Sequence, residues 1–272
     1  MRSARSLSRA DQPAQLPHRC TGLAGLALTG LALTACNTAA PPSAPNAAQG
    51  AAQGAQEGVA TSAEARAKQL VTRAWGYEPK VTPLLQRIAA EAGGRLVGLE
   101  HRLKSEGSTA RKLKQMLAED PTLSVGAVTI YDSLRYTLEV ADEPKGNHLR
   151  GIKEALKQLE AAGYTVKAVK NYWPKGDNYS GVNTVISAAD GFEWELQLHT
   201  PESVAESRRT HEQYERLRLP STPPAERVAL FEAMAAPWEL IPVPEGILEE
   251  GALHPASRLR TLPRPSAAAP AE

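Results

Sequence analysis

"FEWELQLHT", residues 192–200, alternates without a break between two kinds of side chain. Phe192, Trp194, Leu196 and Leu198 fall on one parity, Glu193, Glu195, Gln197 and His199 on the other. A period of two is the signature of an extended strand with one apolar face that must be buried. The other face is then a row of acceptors and one titratable ring, directed either into water or into a cleft. A strand of this kind needs neighbours, and the preceding sequence supplies them. "YTVKAVKNYW" (164–173) and "GVNTVISAA" (181–189) are β-branched runs separated by Pro174-Lys175-Gly176-Asp177, and Asp190-Gly191 marks the next turn.

Further upstream, "RLVGLEHRL" (95–103) and "GAVTIYDSLRYTLEV" (126–140) also suit strands. Helical patterns alternate with them. "TSAEARAKQLVTRAW" (61–75) starts at Thr61 or Ser62 as N-cap, and a second helix spans about Thr82 to Ala92, stopping at Gly93-Gly94. "GSTARKLKQMLAED" (107–120), the amphipathic "NHLRGIKEALKQLEAAG" (147–163), a charged segment over 201–217 and "PAERVALFEAMAAPW" (224–238) are the others. This order predicts an α+β domain, a mixed sheet with flanking helices.

A second stretch carries chemistry. In "RLKSEGSTARK" (102–112), Arg102 and Lys104 share strand parity, while Ser108 and Lys112 lie one helical turn apart. A strand turning directly into a helix aims cations and free backbone N–H groups at one point, an arrangement suited to phosphate. Taken alone, the same stretch also fits an ordinary basic helix start.

Taken together, R-x-K-x3-S-x3-K, an aspartate on a later strand, "PKGDNYSGVN" (174–183) and "ELQLHT" (195–200) resemble the synthetase domain of the RelA/SpoT family, in a form close to its small toxin-like or secreted members. The resemblance spans roughly residues 65 to 218 and implies the nucleotidyltransferase-like fold of that family. It also implies an ATP-dependent transfer of pyrophosphate to the 3′-hydroxyl of a purine nucleotide, with (p)ppGpp- or (p)ppApp-type products. On that resemblance Arg102, Lys104, Ser108 and Lys112 hold the donor ATP. Asp132 and Glu195 are the catalytic pair and the Mg²⁺ ligands, and Tyr179 stacks on the acceptor base. Lys170 and Lys175 serve the acceptor phosphates, and Asn183, Gln197 and His199 complete the acceptor site. Two positions depart from the family pattern: Asn183 stands where a histidine is usual, and His199 where an arginine is usual. A histidine there is expected to alter the acceptor contacts or to make activity sensitive to pH. Asp132 and Arg135 are unusually close in sequence, which places a bulge or a strand end between them.

The ends read differently. "TGLAGLALTGLALTAC" (21–36), preceded by Arg2, Arg5, Arg9 and Arg19, has the form of an export signal over residues 1–35. Its small residues before Cys36 resemble a lipoprotein lipidation site, which implies export and a membrane anchor through lipid on Cys36. A tether rich in Ala, Gln, Gly and Pro covers 36–62, the synthetase-like domain 63–219, and a C-terminal helix with a disordered tail 220–272. The only two cysteines, Cys20 and Cys36, lie outside that domain, so an internal disulfide cannot hold it. A formal net charge of +1 argues against DNA as a partner. Two other readings stay open: a catalytically inactive nucleotide-binding envelope lipoprotein, and a pyrophosphokinase acting on the 3′ end of tRNA.

Overall fold

A computed structural model describes residues 62–249 and 251–266. The expected signal segment, Cys36 and almost all of the tether lie outside the described residues. Among the described residues, six strands form one mixed sheet: β1 (Arg95–Val97), β2 (Arg135–Glu139), β3 (Thr165–Asn171), β4 (Val182–Ser187), β5 (Glu193–His199) and β6 (Ser257–Leu259). Their spatial order is β1-β2-β5-β4-β3-β6, so the strand that alternates most strictly lies inside the sheet. β5 runs parallel to β2 and antiparallel to β4, while β6 pairs parallel with the far edge of β3. The helices are α1 (Ala63–Glu91), α2 (Glu106–Glu119), α3 (Asn147–Ala161), α4 (Pro201–Arg209), α5 (His211–Leu217) and α6 (Pro224–Glu239). The α+β expectation therefore holds.

The apolar side of the sheet forms the core. Trp194, Leu196 and Leu198 of β5 are fully buried with Val81, Leu85 and Ile88 of α1 and Ile152, Leu156 and Leu159 of α3. Trp194 meets the rings of Tyr136 and Tyr164 edge-on, each with centroids 5.9 Å away. Burying such a side chain contributes about 1.5–3 kcal/mol each, which fixes the strand's register and its face. Trp173, Trp194 and Trp238 are all interior.

Four local expectations change. The two N-terminal helices are one, because the buried stripe Leu70, Val71, Ala74, Val81 and Leu85 continues across Pro79 and Pro83. Packing along that stripe overrides the backbone hydrogen bonds the prolines cannot make. The strand over 95–103 ends at Val97. Gly98, at φ 65°, turns the chain into a short 3-10 turn over Leu99–His101. The helix over 201–217 breaks at Thr210 into α4 and α5. Finally, the chain after α6 adds β6 to the sheet and places Ile247 and Leu253 in the core, an edge contact with no period of its own in the sequence.

Gly151 of α3 shows how tightly α3 seats. A Cβ there would lie 2.8 Å from Val140 Cγ1 and 2.9 Å from the Ala92 carbonyl oxygen, and a backbone oxygen cannot swing away. Helix propensity favours alanine over glycine by about 1 kcal/mol, but overpacking costs about 1–3 kcal/mol. Gly151→Ala is therefore expected to lower the urea midpoint. A raised midpoint would show that propensity outweighs the contact.

Candidate active site

Asp132 sits in a short 3-10 turn, Tyr131–Ser133, immediately before β2, so the expected strand end is where the chain places it. The turn directs the carboxylate inwards, where it is 6% exposed. Lys104 Nζ donates to Oδ2 at 2.8 Å and Lys112 Nζ to Oδ1 at 2.9 Å. Burial alone would raise the pKa of this carboxyl. The two ammoniums overcome that and hold it well below the usual carboxylate range. Lys104 is itself buried, and desolvation pulls its pKa down against the attraction of Asp132.

Of the four groups in 102–112, Lys104 and Lys112 converge. Arg102 does not join them: its Nε donates to Glu78 Oε1 at 2.7 Å and its Nη1 to the Leu99 carbonyl at 2.6 Å. The cause is the 3-10 turn, which removes Arg102 and Lys104 from the strand parity the sequence suggests. Ser108 is in the first turn of α2. Its N–H donates to the N-cap Ser105 Oγ, and its hydroxyl accepts from Ser105 and Arg111.

Glu195 lies on β5 in register with Arg135 of β2, so the two side chains share one sheet face. Its carboxylate makes no hydrogen bond or ion pair among the described residues. Burial pushes its pKa up against the pull of Arg135, and the charge of Asp132 adds to the rise; Lys112 and Lys170 oppose it. Lys170, on β3, is lowered by burial, with Glu195 the main counterweight. Arg135 is the residue to which sequence reasoning gave no role. It is buried, and its field reaches Glu195, Asp132, Tyr179 and His199. A charged residue inside an otherwise apolar run was its signal.

The rest of the polar face is covered, not solvated. Gln197 and His199 are each 3% exposed, and Gln197 Nε2 has no hydrogen-bond partner among the described residues. Tyr179, 4% exposed, donates from Oη to Asn183 Oδ1 at 2.7 Å, and its oxygen lies 2.9 Å from His199 Nε2. The other ring nitrogen, Nδ1, lies 2.9 Å from Ser203 Oγ. Both departures from the family pattern, Asn183 and His199, thus meet at one hydroxyl. Gly181 makes the room: a Cβ there would stand 2.6 Å from His199 Cε1.

Burial, with smaller repulsions from His148 and Arg135, holds His199 down to about 3. With the ring neutral across the working range, His199 would not supply the pH sensitivity expected of it. Its C2 proton resonance is expected to remain flat from about pH 5 to 8, against an unperturbed pKa of about 6.5. A midpoint near that value would refute the closed network. By linkage, a folded pKa below the unfolded one contributes stability above about pH 6.5, lost as pH falls.

Tyr179 is not presented as a stacking surface in this conformation. Its ring has Tyr172, His199 and Trp238 as neighbours, with centroids 5.7, 5.4 and 5.6 Å away. Lys175 is likewise committed elsewhere, its ammonium capping the carbonyls at the C-terminal end of α6, Trp238 and Glu239, and that of Ile241. Tyr214 of α5 is pushed up to about 12, mainly by burial.

Among the described residues, no three His, Cys, Asp or Glu side chains gather as a metal site. Mg²⁺ commonly takes one or two carboxylates and completes its shell with water and substrate phosphates. Asp132 and Glu195 fit that requirement only alongside a phosphate chain, since both Asp132 oxygens carry lysine ammoniums here.

No family model matches the sequence, and no curated protein matches it. Among solved structures, the type VI effector Tas1, in complex with its immunity protein, is 21% identical with a TM-score of 0.42, over 63% of this chain and 94% of that one. A GTP pyrophosphokinase family protein from Streptococcus pneumoniae is 13% identical with a TM-score of 0.37, over 62% of this chain and 83% of that one.

Proposed function

We propose that this chain is a nucleotide pyrophosphokinase. It transfers the β,γ-pyrophosphate of ATP to the 3′-hydroxyl of a purine nucleotide, giving AMP and a (p)ppGpp- or (p)ppApp-type product. The observation that carries the reading is the pairing of two converging lysines on Asp132 with an unpartnered carboxylate, Glu195, on the adjacent strand.

In the reaction, the acceptor 3′-oxygen bonds to the β-phosphorus of ATP as the bond from that phosphorus to the bridging α,β-oxygen breaks. AMP leaves with the bond's electrons. Glu195, partly desolvated and free of hydrogen bonds, takes the proton of the attacking hydroxyl. Lys104 and Lys112 exchange the Asp132 carboxylate for phosphate oxygens, so donor binding frees Asp132. Mg²⁺, when bound by Asp132, Glu195 and the phosphates, would offset the negative charge on the transferring group. Lys170 is the cation best placed for the acceptor. An exported chain anchored through lipid on Cys36 completes the proposal.

Incubation with Mg²⁺ and γ-labelled ATP tests it, with ATP, ADP, AMP, GTP, GDP and GMP offered in turn as acceptors. Label in a nucleotide other than ATP, with AMP released in equal amount, supports the reading. ATP that binds but transfers nothing to any nucleotide, or to tRNA, supports a nucleotide-binding lipoprotein instead. The burial of Tyr179 is the observation that favours this second reading.

A further inference from the structure

The loop between β3 and β4, residues 174–180, is fastened by residues that come far later in the chain. Lys175 Nζ donates to the carbonyl of Trp238 at 3.2 Å, to that of Glu239 at 2.8 Å, and to that of Ile241. The Gly176 N–H donates to Glu239 Oε2 at 3.1 Å. Arg264 Nη2 donates to the Gly176 carbonyl at 2.8 Å, and the Leu262 N–H to Asp177 Oδ2 at 2.9 Å. Trp238, itself buried, lies against the Tyr179 ring. Two separate pieces of chain, the end of α6 and the stretch after β6, thus hold the same short loop from two sides.

We propose that the C-terminal segment is a latch: residues 238–241 and 262–264 hold the 174–180 loop in a closed position with its Tyr179 ring buried, and the acceptor nucleotide gains the ring only when they release it. This rests on the pyrophosphokinase reading for its functional consequence. A base stacks on an aromatic side chain only where one face of the ring is open, and at 4% exposure Tyr179 offers none. Much of the fastening is peripheral: the Gly176 bonds to Glu239 and Arg264, and those of Lys175 to Glu239 and Ile241, are all exposed. Such bonds open locally at far lower cost than the buried sheet beneath them. The cap on α6 gives the latch its direction. Lys175 places a cation on carbonyls at the C-terminal end of α6, where the Trp238 carbonyl also accepts from the Ile241 N–H at 3.2 Å, so the closed state is favoured until another group takes the loop.

Glu239 and Arg264 are positioning residues acting through the loop, and both can be cut without entering the core. In the full chain, the Glu239→Ala/Arg264→Ala double variant is expected to speed amide exchange over 175–181 by about ten-fold or more, with β4 and β5 unchanged. Acceptor KM then falls several-fold while ATP KM stays put. Lys175→Met, which removes the cap without touching α6 side chains, is expected to speed the same amide exchange, and only the double variant is read for acceptor KM. Exchange that is unchanged in both variants, or raised uniformly across the domain, overturns the latch. Faster loop exchange with an unaltered acceptor KM overturns the occlusion of Tyr179. The exchange measurement needs no turnover, so a chain that transfers no pyrophosphate defeats the functional reading and leaves the latch to be judged separately.

Discussion

Glu195→Gln is expected to reduce labelled pyrophosphate transfer by about 10²–10⁴-fold, the usual contribution of a positioned general base, with little change in thermal stability. The reasons are local. The carboxylate makes no hydrogen bond among the described residues, so the amide breaks none. It is partly desolvated and its pKa is raised, so replacing its charge by a neutral group removes no stabilising pair. The wild-type rate carries the matching pH signature. Transfer requires the unprotonated carboxylate, and burial raises its pKa. Activity therefore falls with acidification at a higher pH than an ordinary glutamate, of pKa about 4.3, would impose. A variant that retains more than about a tenth of the wild-type rate would remove Glu195 from the proton transfer. ATP binding measured by calorimetry separates this result from a failure to hold the donor.

Asp132→Asn is expected to act on stability as well as on rate. It leaves Lys104, 5% exposed, with its ammonium buried and without its counter-charge. Breaking one half of a buried ion pair costs about 3–5 kcal/mol. Lys112, more open at 19%, can turn to solvent and adds little. For a domain of this size the loss corresponds to a Tm lower by about 10 °C, at roughly 2–4 °C per kcal/mol. The pH dependence has a definite sign. The folded pKa of Asp132 lies below its unfolded value, so the wild type has this stability in full above about pH 5 and loses it as pH falls through the carboxylate range. The variant lacks that acid-labile component. Inorganic pyrophosphate gives a second readout: as an anion that can pair with both lysines, it should raise the Tm of the variant more than that of the wild type. A variant as stable as the wild type at pH 7, and indifferent to pyrophosphate, would show that the lysines do not depend on Asp132.

Much of this arrangement is legible in the sequence, for physical reasons that differ from element to element. Strict alternation over 192–200 specifies a strand and its buried face, because a one-residue slip would put Trp194, Leu196 and Leu198 into water. The α+β class follows from the same periodicities. The spacing over 102–112 aims Lys104 and Lys112 at one point, the family resemblance adds Asp132, and the structure brings these three into one ion cluster. These are local properties, set by side-chain period and residue type.

Tertiary structure decided the rest. Alternation says that Glu195, Gln197 and His199 share a polar face but not what covers it. The cover includes Trp238, with Glu239 and Arg264 fastening the loop that carries Lys175 and Tyr179, and no local pattern links these positions. Arg102 leaves its expected partners because Gly98 adopts a left-handed backbone and starts a turn, which redirects the side chain towards Glu78. Arg135 acquires its place only through the parallel pairing of β2 with β5, a contact between residues 60 apart in sequence, 195 − 135. Local sequence sets which residues can carry charge and which must be buried; the distant pairings decide which charges meet and which rings are closed off from water.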